Sequence, residues 1–351
     1  MLKRLKPATL LLALVSSTLL LQGCGGCGFE CGSDEPITLS LGISTTPANN
    51  SISSVFIDID SIEFRRNGSD NNVLIETFTV DSGDIDITDE ETLQINLLDY
   101  RGTNQLMAIS DISVDPGTYT DIVITLSDSS DDSYVEYMDD DNGDLIKPLV
   151  VTNNTLTLDG FIATSDNKTF TIKLSLLQSL YENDDNFQLT TKGQRVLDNA
   201  NDVALVGSVD SDLFDQISPC DVKDDREQGN RLYLYQGNGL VQNRLADVYT
   251  TDSTNTIPNN TISPYDVILP SENIDQGTWQ YSIGFLPTGN YTLAFTCDAE
   301  TDDPIEYEGL SIPLPTAQLY ELQLNQTDTT TTCNLSADAT GCKTFLDKKC
   351  L

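Results

Sequence analysis

Histidine is missing from all 351 residues, tryptophan occurs once, and lysine plus arginine number 18 against 55 aspartates and glutamates. Each scarcity excludes something. Without histidine there is no Ser-His-Asp triad, no imidazole base and no commonest zinc ligand, so an enzyme built here would use carboxylates, lysine, tyrosine or cysteine. A formal charge of −37 excludes nucleic acid as a partner, because phosphate binding needs clustered Lys and Arg. Long apolar runs are also lacking. The extended one, Ala8 to Leu21, falls short of the roughly 20 residues that span a bilayer.

That run is instead framed as an export signal. Lys3, Arg4 and Lys6 precede it, and Leu21-Gln22-Gly23-Cys24 closes it with a small residue before a cysteine. The box resembles that of bacterial lipoproteins. The resemblance implies cleavage after residue 23, lipidation of Cys24, and a membrane partner reached through the N-terminal lipid. Multiple acyl chains hold far more firmly than the single chain that gives marginal attachment. Gly25 stands where lipoproteins kept at the inner membrane carry Asp, so the expected location is the outer membrane, on the cell surface or its periplasmic face. Removal of residues 1–23 leaves 15 basic against 55 acidic residues, a formal charge of −40.

Seven cysteines remain: Cys27, Cys31, Cys220, Cys297, Cys333, Cys342 and Cys350. In an oxidising compartment all are candidate half-cystines, and spacing alone does not settle their pairing. A zinc site is not expected.

Residues 24–36 read as a lipidated tether. From Ile37 the pattern is short alternating runs, which predicts half-buried strands. Val55, Ile57 and Ile59 share a face before Ile62 and Phe64 continue on the other parity, placing a bulge near Asp60-Ser61. Leu93 to Leu97, Ile122 to Leu126 and Phe170 to Leu176 alternate likewise, and the last of these sends Thr171, Lys173 and Ser175 to solvent. Asn67-Gly68, Asp115-Pro116-Gly117 and Asn142-Gly143 supply turn chemistry. A short helix is expected between Thr191 and Ala200, then a closing strand through Val203, Leu205 and Val209. The composition shifts at Ser218 to Asn230, and strands resume at Trp279 to Phe285, Tyr291 to Cys297 and Tyr320 to Leu324.

The expected architecture is all-β: two tandem antiparallel β-sandwiches of Greek-key, prealbumin- or Ig-like type, over 37–215 and 230–326, with a cysteine-bearing tail at 327–351. Asp115 to Thr120 and Leu286 to Thr292 echo one another, each placing a Pro/Gly turn before Tyr-Thr and an apolar strand.

Those residues carry two resemblances. Leu41 to Pro47, Val55 to Phe64, Leu93 to Tyr100, Val114 to Tyr119 running into Ile122 to Leu126, and Val206 to Val209 as a closing strand resemble the family known as domain of unknown function 4382. It covers about 37–209. It implies an exported β module and brings no activity. Leu286 to Tyr291 resembles the turn leading into a core strand of carboxypeptidase-regulatory or prealbumin-like sandwiches, over 230–325.

Calcium is the one candidate cofactor, since acidic loops supply oxygens densely. The candidate ligands are Asp139, Asp141, Asn142 and Asp144 in one loop and Asp298, Glu300 and Asp302 in another; Asp84 to Glu91 reads as acidic surface. The sequence therefore points to an anchored, non-catalytic binding, adhesion or structural module with a glycan or envelope protein as partner. The competing reading is a carboxylate-based hydrolase or enzyme accessory module.

Overall fold

Strand pairing arranges the first half of the chain in two layers. The computed structural model describes residues 35–68, 71–78, 80, 92–129, 132–139, 142–165, 168–249, 257–273, 277–340 and 342. Among the described residues thirteen strands build this half: β1 (Ile37–Thr45), β2 (Ile52–Arg65), β3 (Val73–Ile75), β4 (Leu93–Asn96), β5 (Leu106–Val114), β6 (Gly117–Leu126), β7 (Tyr134–Asp139), β8 (Gly143–Val150), β9 (Thr155–Ala163), β10 (Thr169–Leu174), β11 (Leu180–Glu182), β12 (Phe187–Leu189) and β13 (Arg195–Asp198). One sheet runs β13-β10-β1-β5. The other runs β11-β12-β8-β7-β2-β6-β9, with β3 and β4 also pairing β2. Leu41, Ile57, Phe64, Ile122, Ile172 and their neighbours are buried together between the sheets, as facing apolar sides of a sandwich require. The register of β2 against β6 shifts between Ile59 and Ser61, at the expected bulge.

Eight strands follow: β14 (Asp202–Val209), β15 (Arg231–Gln236), β16 (Asp266–Ile268), β17 (Ser271–Asn273), β18 (Thr278–Pro287), β19 (Gly289–Thr296), β20 (Leu319–Leu324) and β21 (Thr330–Thr332). They form two four-stranded sheets, β17-β18-β14-β21 and β16-β15-β19-β20. Between these lie Leu205, Leu232, Leu234, Ile283, Leu293 and Phe295. The described residues from Glu35 onward form one compact unit.

Four expectations need correction. The strand through Val203 and Val209 does not close the first sandwich: β14 lies between β18 and β21 of the second, because Leu205 and Val209 find their apolar partners there. The tail from 327 is likewise no mere tail, since β21 pairs β14 and Cys333 and Leu335 are core residues. Residues 195–198 are a strand, paired with β10, and only Asn199–Asn201 turns helically. The sheets are mixed, with parallel pairings of β1 with β10, β8 with β12 and β14 with β21.

The tandem echo is geometric. Tyr119 Oη donates to the Asp115 carbonyl at 3.0 Å and Tyr291 Oη to the Pro287 carbonyl at 2.9 Å. Each tyrosine thus pins the hairpin turn four residues upstream, as a tyrosine corner does. Gly117 (φ 136°) stands two residues before the first of them, in backbone territory that side-chain-bearing residues avoid.

Candidate functional site

The two sandwiches meet along a seam that begins with two glycines. Gly284 N donates to the Gly102 carbonyl at 3.0 Å, and a Cβ at Gly284 would collide with that carbonyl. Only glycine permits so close an approach of two backbones. Beside this contact opens a groove of about 1070 Å³. Its first wall carries Asn49, Asn50, Asp99, Arg101 and Asn104; its second carries Ser208, Glu272, Gln280, Ser282 and Asn334. Amides and hydroxyls, which both donate and accept, make up most of its polar lining, beside the charged Asp99, Arg101 and Glu272.

Deeper in the seam the polar groups are paired. Lys173 of β10 places Nζ 2.6 Å from Asp266 Oδ2 of β16, with the two side chains 3% and 1% exposed, and Nζ also donates to the Gly284 carbonyl at 3.1 Å. Asp266 Oδ1 accepts from Ser175 Oγ at 2.9 Å and from Val267 N at 3.1 Å. Gln178 Nε2 reaches the Pro264 carbonyl at 3.1 Å. The Arg195 guanidinium lies 3.9 Å from the centre of the Tyr265 ring, a cation–π contact. Burial holds the Lys173 amine below the ordinary lysine value, against the opposing pull of Asp266.

A second buried pair sits inside the second sandwich. Arg231 of β15 is ion-paired with Asp302, whose Oδ2 also accepts from Tyr233 Oη at 2.7 Å. Burial pushes the Asp302 carboxyl up to about 6, Arg231 pulling the other way. Nearby Asp247, also buried, accepts from Glu308 N at 3.2 Å and Leu310 N at 2.9 Å.

The candidate calcium ligands fall in two separate places and several are engaged by protein groups. Asp302 turns inward to Arg231, whereas Asp298 and Glu300 are exposed and Asp298 Oδ2 accepts from Ser311 N. Asp139 Oδ1 is taken by Asn142, which donates its backbone N at 2.8 Å and Nδ2 at 2.7 Å across the hairpin tip. Asp144 is exposed on β8. Among the described residues no three of Asp, Glu, Cys or His gather as a metal-holding group. Asp141 lies outside the described residues, as does the acidic patch from Asp84 to Glu91.

Cysteine pairing resolves as Cys220–Cys297 and Cys333–Cys342, with Cα separations of 5.7 Å and 4.7 Å. Cys24, Cys27, Cys31 and Cys350 lie outside the described residues. Trp279, a candidate sugar platform by residue type, packs edge-on against Phe214 at 5.3 Å between ring centres. Lys173, Ser175, Arg231 and Asp266 were not singled out by sequence reasoning. Lys173 is a polar residue inside an apolar strand, which alternation assigns to solvent, whereas Ser175 follows β10 and Arg231 and Asp266 open β15 and β16, where polar residues are ordinary.

Residues 37–197 match the family described as Domain of unknown function (DUF4382), which bears out the resemblance of the first sandwich. The match stops before β14, in keeping with that strand's place in the second sandwich. No curated protein matches the chain. Solved structures with some likeness include a leucine-rich repeat protein from Bacteroides thetaiotaomicron, at 10% identity and TM-score 0.21 over 85% of this chain and 26% of that one. Another is BcpA, the major pilin subunit of Bacillus cereus, at 9% identity and TM-score 0.18 over 86% and 69%. A fimbrial protein from Bacteroides ovatus gives 8% identity and TM-score 0.17 over 89% and 50%. The chain thus spans about a quarter of the length of the first, and TM-scores this low carry no functional argument.

Proposed function

We propose that the protein is a lipid-anchored, non-catalytic binding module of the outer membrane whose seam groove holds a neutral, hydroxyl-rich ligand such as a glycan segment. The observation that carries this reading is the lining of the groove, where Asn49, Asn50, Asn104, Ser208, Gln280, Ser282 and Asn334 converge from both sandwiches. Such groups exchange hydrogen bonds with hydroxyls in either direction, and a wide polar groove suits a ligand rich in them. A chain bearing so many carboxylates repels anionic ligands and accommodates neutral ones. The anchor rests on Leu21 to Cys24, and the second sandwich is read as prealbumin-like on its Leu286 to Tyr291 turn.

The test is titration of the full chain in detergent with neutral polysaccharides, in wild type and in Asn104→Ala and Gln280→Ala. Each hydrogen bond lost is worth about 1 kcal/mol, so affinity should fall roughly fivefold per substitution. Affinity unchanged in both variants, or no binding to any neutral glycan, overturns the groove as the site. Asp99 and Glu272 also stand on its walls, so the competing reading is a carboxylate hydrolase. Turnover of the bound glycan, abolished by Asp99→Asn or Glu272→Gln, would establish it instead. For the anchor, Cys24→Ser should release the protein from membranes; continued membrane attachment defeats it.

A further inference from the structure

The contact between Lys173 and Asp266 has features that an ordinary ion pair does not need. The amine nitrogen is 2.6 Å from Oδ2, yet Oδ2 has no hydrogen-bond partner: the amine touches the carboxyl group without being aligned on its lone pairs. Cγ is one bond of about 1.2 Å beyond Oδ2, so a small rotation of the lysine side chain brings Nζ to the separation of about 3–3.5 Å from which amines attack. The other oxygen faces two donors, Val267 N and Ser175 Oγ, the single Ser175 hydrogen being shared with Gln178 Oε1 at 2.7 Å. Ser175 Oγ lies 2.9 Å and Val267 N 3.1 Å from Oδ1, the arrangement that stabilises an oxyanion as negative charge gathers on one oxygen. Both side chains are enclosed, and no bulk water competes for the carboxyl carbon.

From this geometry we propose that Lys173 and Asp266 condense into a side-chain amide that covalently joins the two sandwiches. The step balances without an added reagent. A proton passes from the ammonium to Oδ2 as the reaction begins, leaving a neutral amine beside a neutral acid. The Nζ lone pair forms the bond to Cγ while the C=O electron pair moves onto Oδ1, facing Ser175 and Val267. Collapse of that intermediate expels Oδ2, which leaves with its own proton and a second one from nitrogen as one water. The product nitrogen keeps one hydrogen, and Nζ already donates to the Gly284 carbonyl at 3.1 Å. Burial keeps the lysine amine below its ordinary value, and the Arg195 charge acts in the same sense; both favour the nucleophilic form. Holding the two groups in one enclosed site replaces an intermolecular encounter with effective concentrations of about 10⁵ M or more. Ser175 serves as a positioning residue through its hold on Oδ1.

The test is peptide mapping of the full chain, purified in detergent, reduced, alkylated and digested with trypsin. The expected product is a branched peptide in which the segment containing Lys173 is joined to the one containing Asp266. It should weigh about 18 Da, one water, less than the two together, with no cleavage after Lys173. Lys173→Arg and Asp266→Ala should each abolish the branched species, and Ser175→Ala, checked for folding by circular dichroism, should lower its yield. Complete cleavage after Lys173 in the wild type, with both segments recovered linear at full mass, overturns the proposal whether or not the variants fold.

Discussion

The Arg231–Asp302 pair sets a pH dependence that one residue can report. Burial raises the folded-state pKa of Asp302 to about 6, whereas an unfolded aspartate titrates near 3.9. Between those values the folded chain holds a proton that the unfolded chain has released, so stability falls as pH rises from about 4 to about 6. Two units at about 1.4 kcal/mol each bound the effect at roughly 3 kcal/mol. Asp302→Asn removes the titrating group and should flatten the slope of the melting temperature over that window relative to wild type; an unchanged slope would place the titration elsewhere. Arg231→Leu leaves the Asp302 carboxylate buried without its cation, and should destabilise by about 3–5 kcal/mol in urea titrations.

At the scale of elements, the disulfides and tyrosine corners rank the ties of the second sandwich. Cys220–Cys297 closes a separation of 77 residues and Cys333–Cys342 one of 9. The chain-entropy relation assigns them about 4.5 and about 2.6 kcal/mol, so replacing the first pair by serine should lower stability more than replacing the second. Tyr291→Phe deletes the bond to Pro287 and leaves that carbonyl short of a partner. Its expected loss is about 1–2 kcal/mol, and Tyr119→Phe should cost less, because Arg66 Nη2 still donates to the Asp115 carbonyl that Tyr119 releases. Those corners were legible in the chain because turn chemistry and the apolar strand after it are local. The groove and the buried pairs were not. In β10 and the residue after it, Thr171, Lys173 and Ser175 occupy the alternate positions that a half-buried strand gives to solvent, yet all three are buried: Lys173 and Ser175 against Gly284 and Asp266 of the second sandwich, Thr171 against Gln105 and Asn199. β15 is enclosed in the same way: Leu232 and Leu234 enter one core while Tyr233 and Tyr235 enter another, beside Leu177 of the first sandwich. Periodicity reports one buried face and is silent about a partner half a chain away. The place of β14 between β18 and β21 was hidden for the same reason, since its alternation fits a sheet of either sandwich.

Over the whole molecule, charge opposes folding while the paired interior resists it. With 55 acidic residues against 18 basic ones, surface carboxylates repel one another, and the repulsion is relaxed when the chain expands. Salt shortens its reach, the Debye length falling from about 30 Å at 0.01 M to about 8 Å at 0.15 M. The melting temperature should therefore rise across that range of NaCl. Divalent cations screen more strongly, and here the placement of individual carboxylates decides what else they do. A calcium loop needs several oxygens free to turn toward one point. Asp302 is committed to Arg231 and Tyr233, and Asp139 to the hairpin tip through Asn142. Calcium and magnesium at equal ionic strength should accordingly raise the melting temperature by the same amount, in wild type and in Asp298→Ala alike. An excess with calcium that disappears in Asp298→Ala would mean that the loop after Cys297 rearranges around the ion.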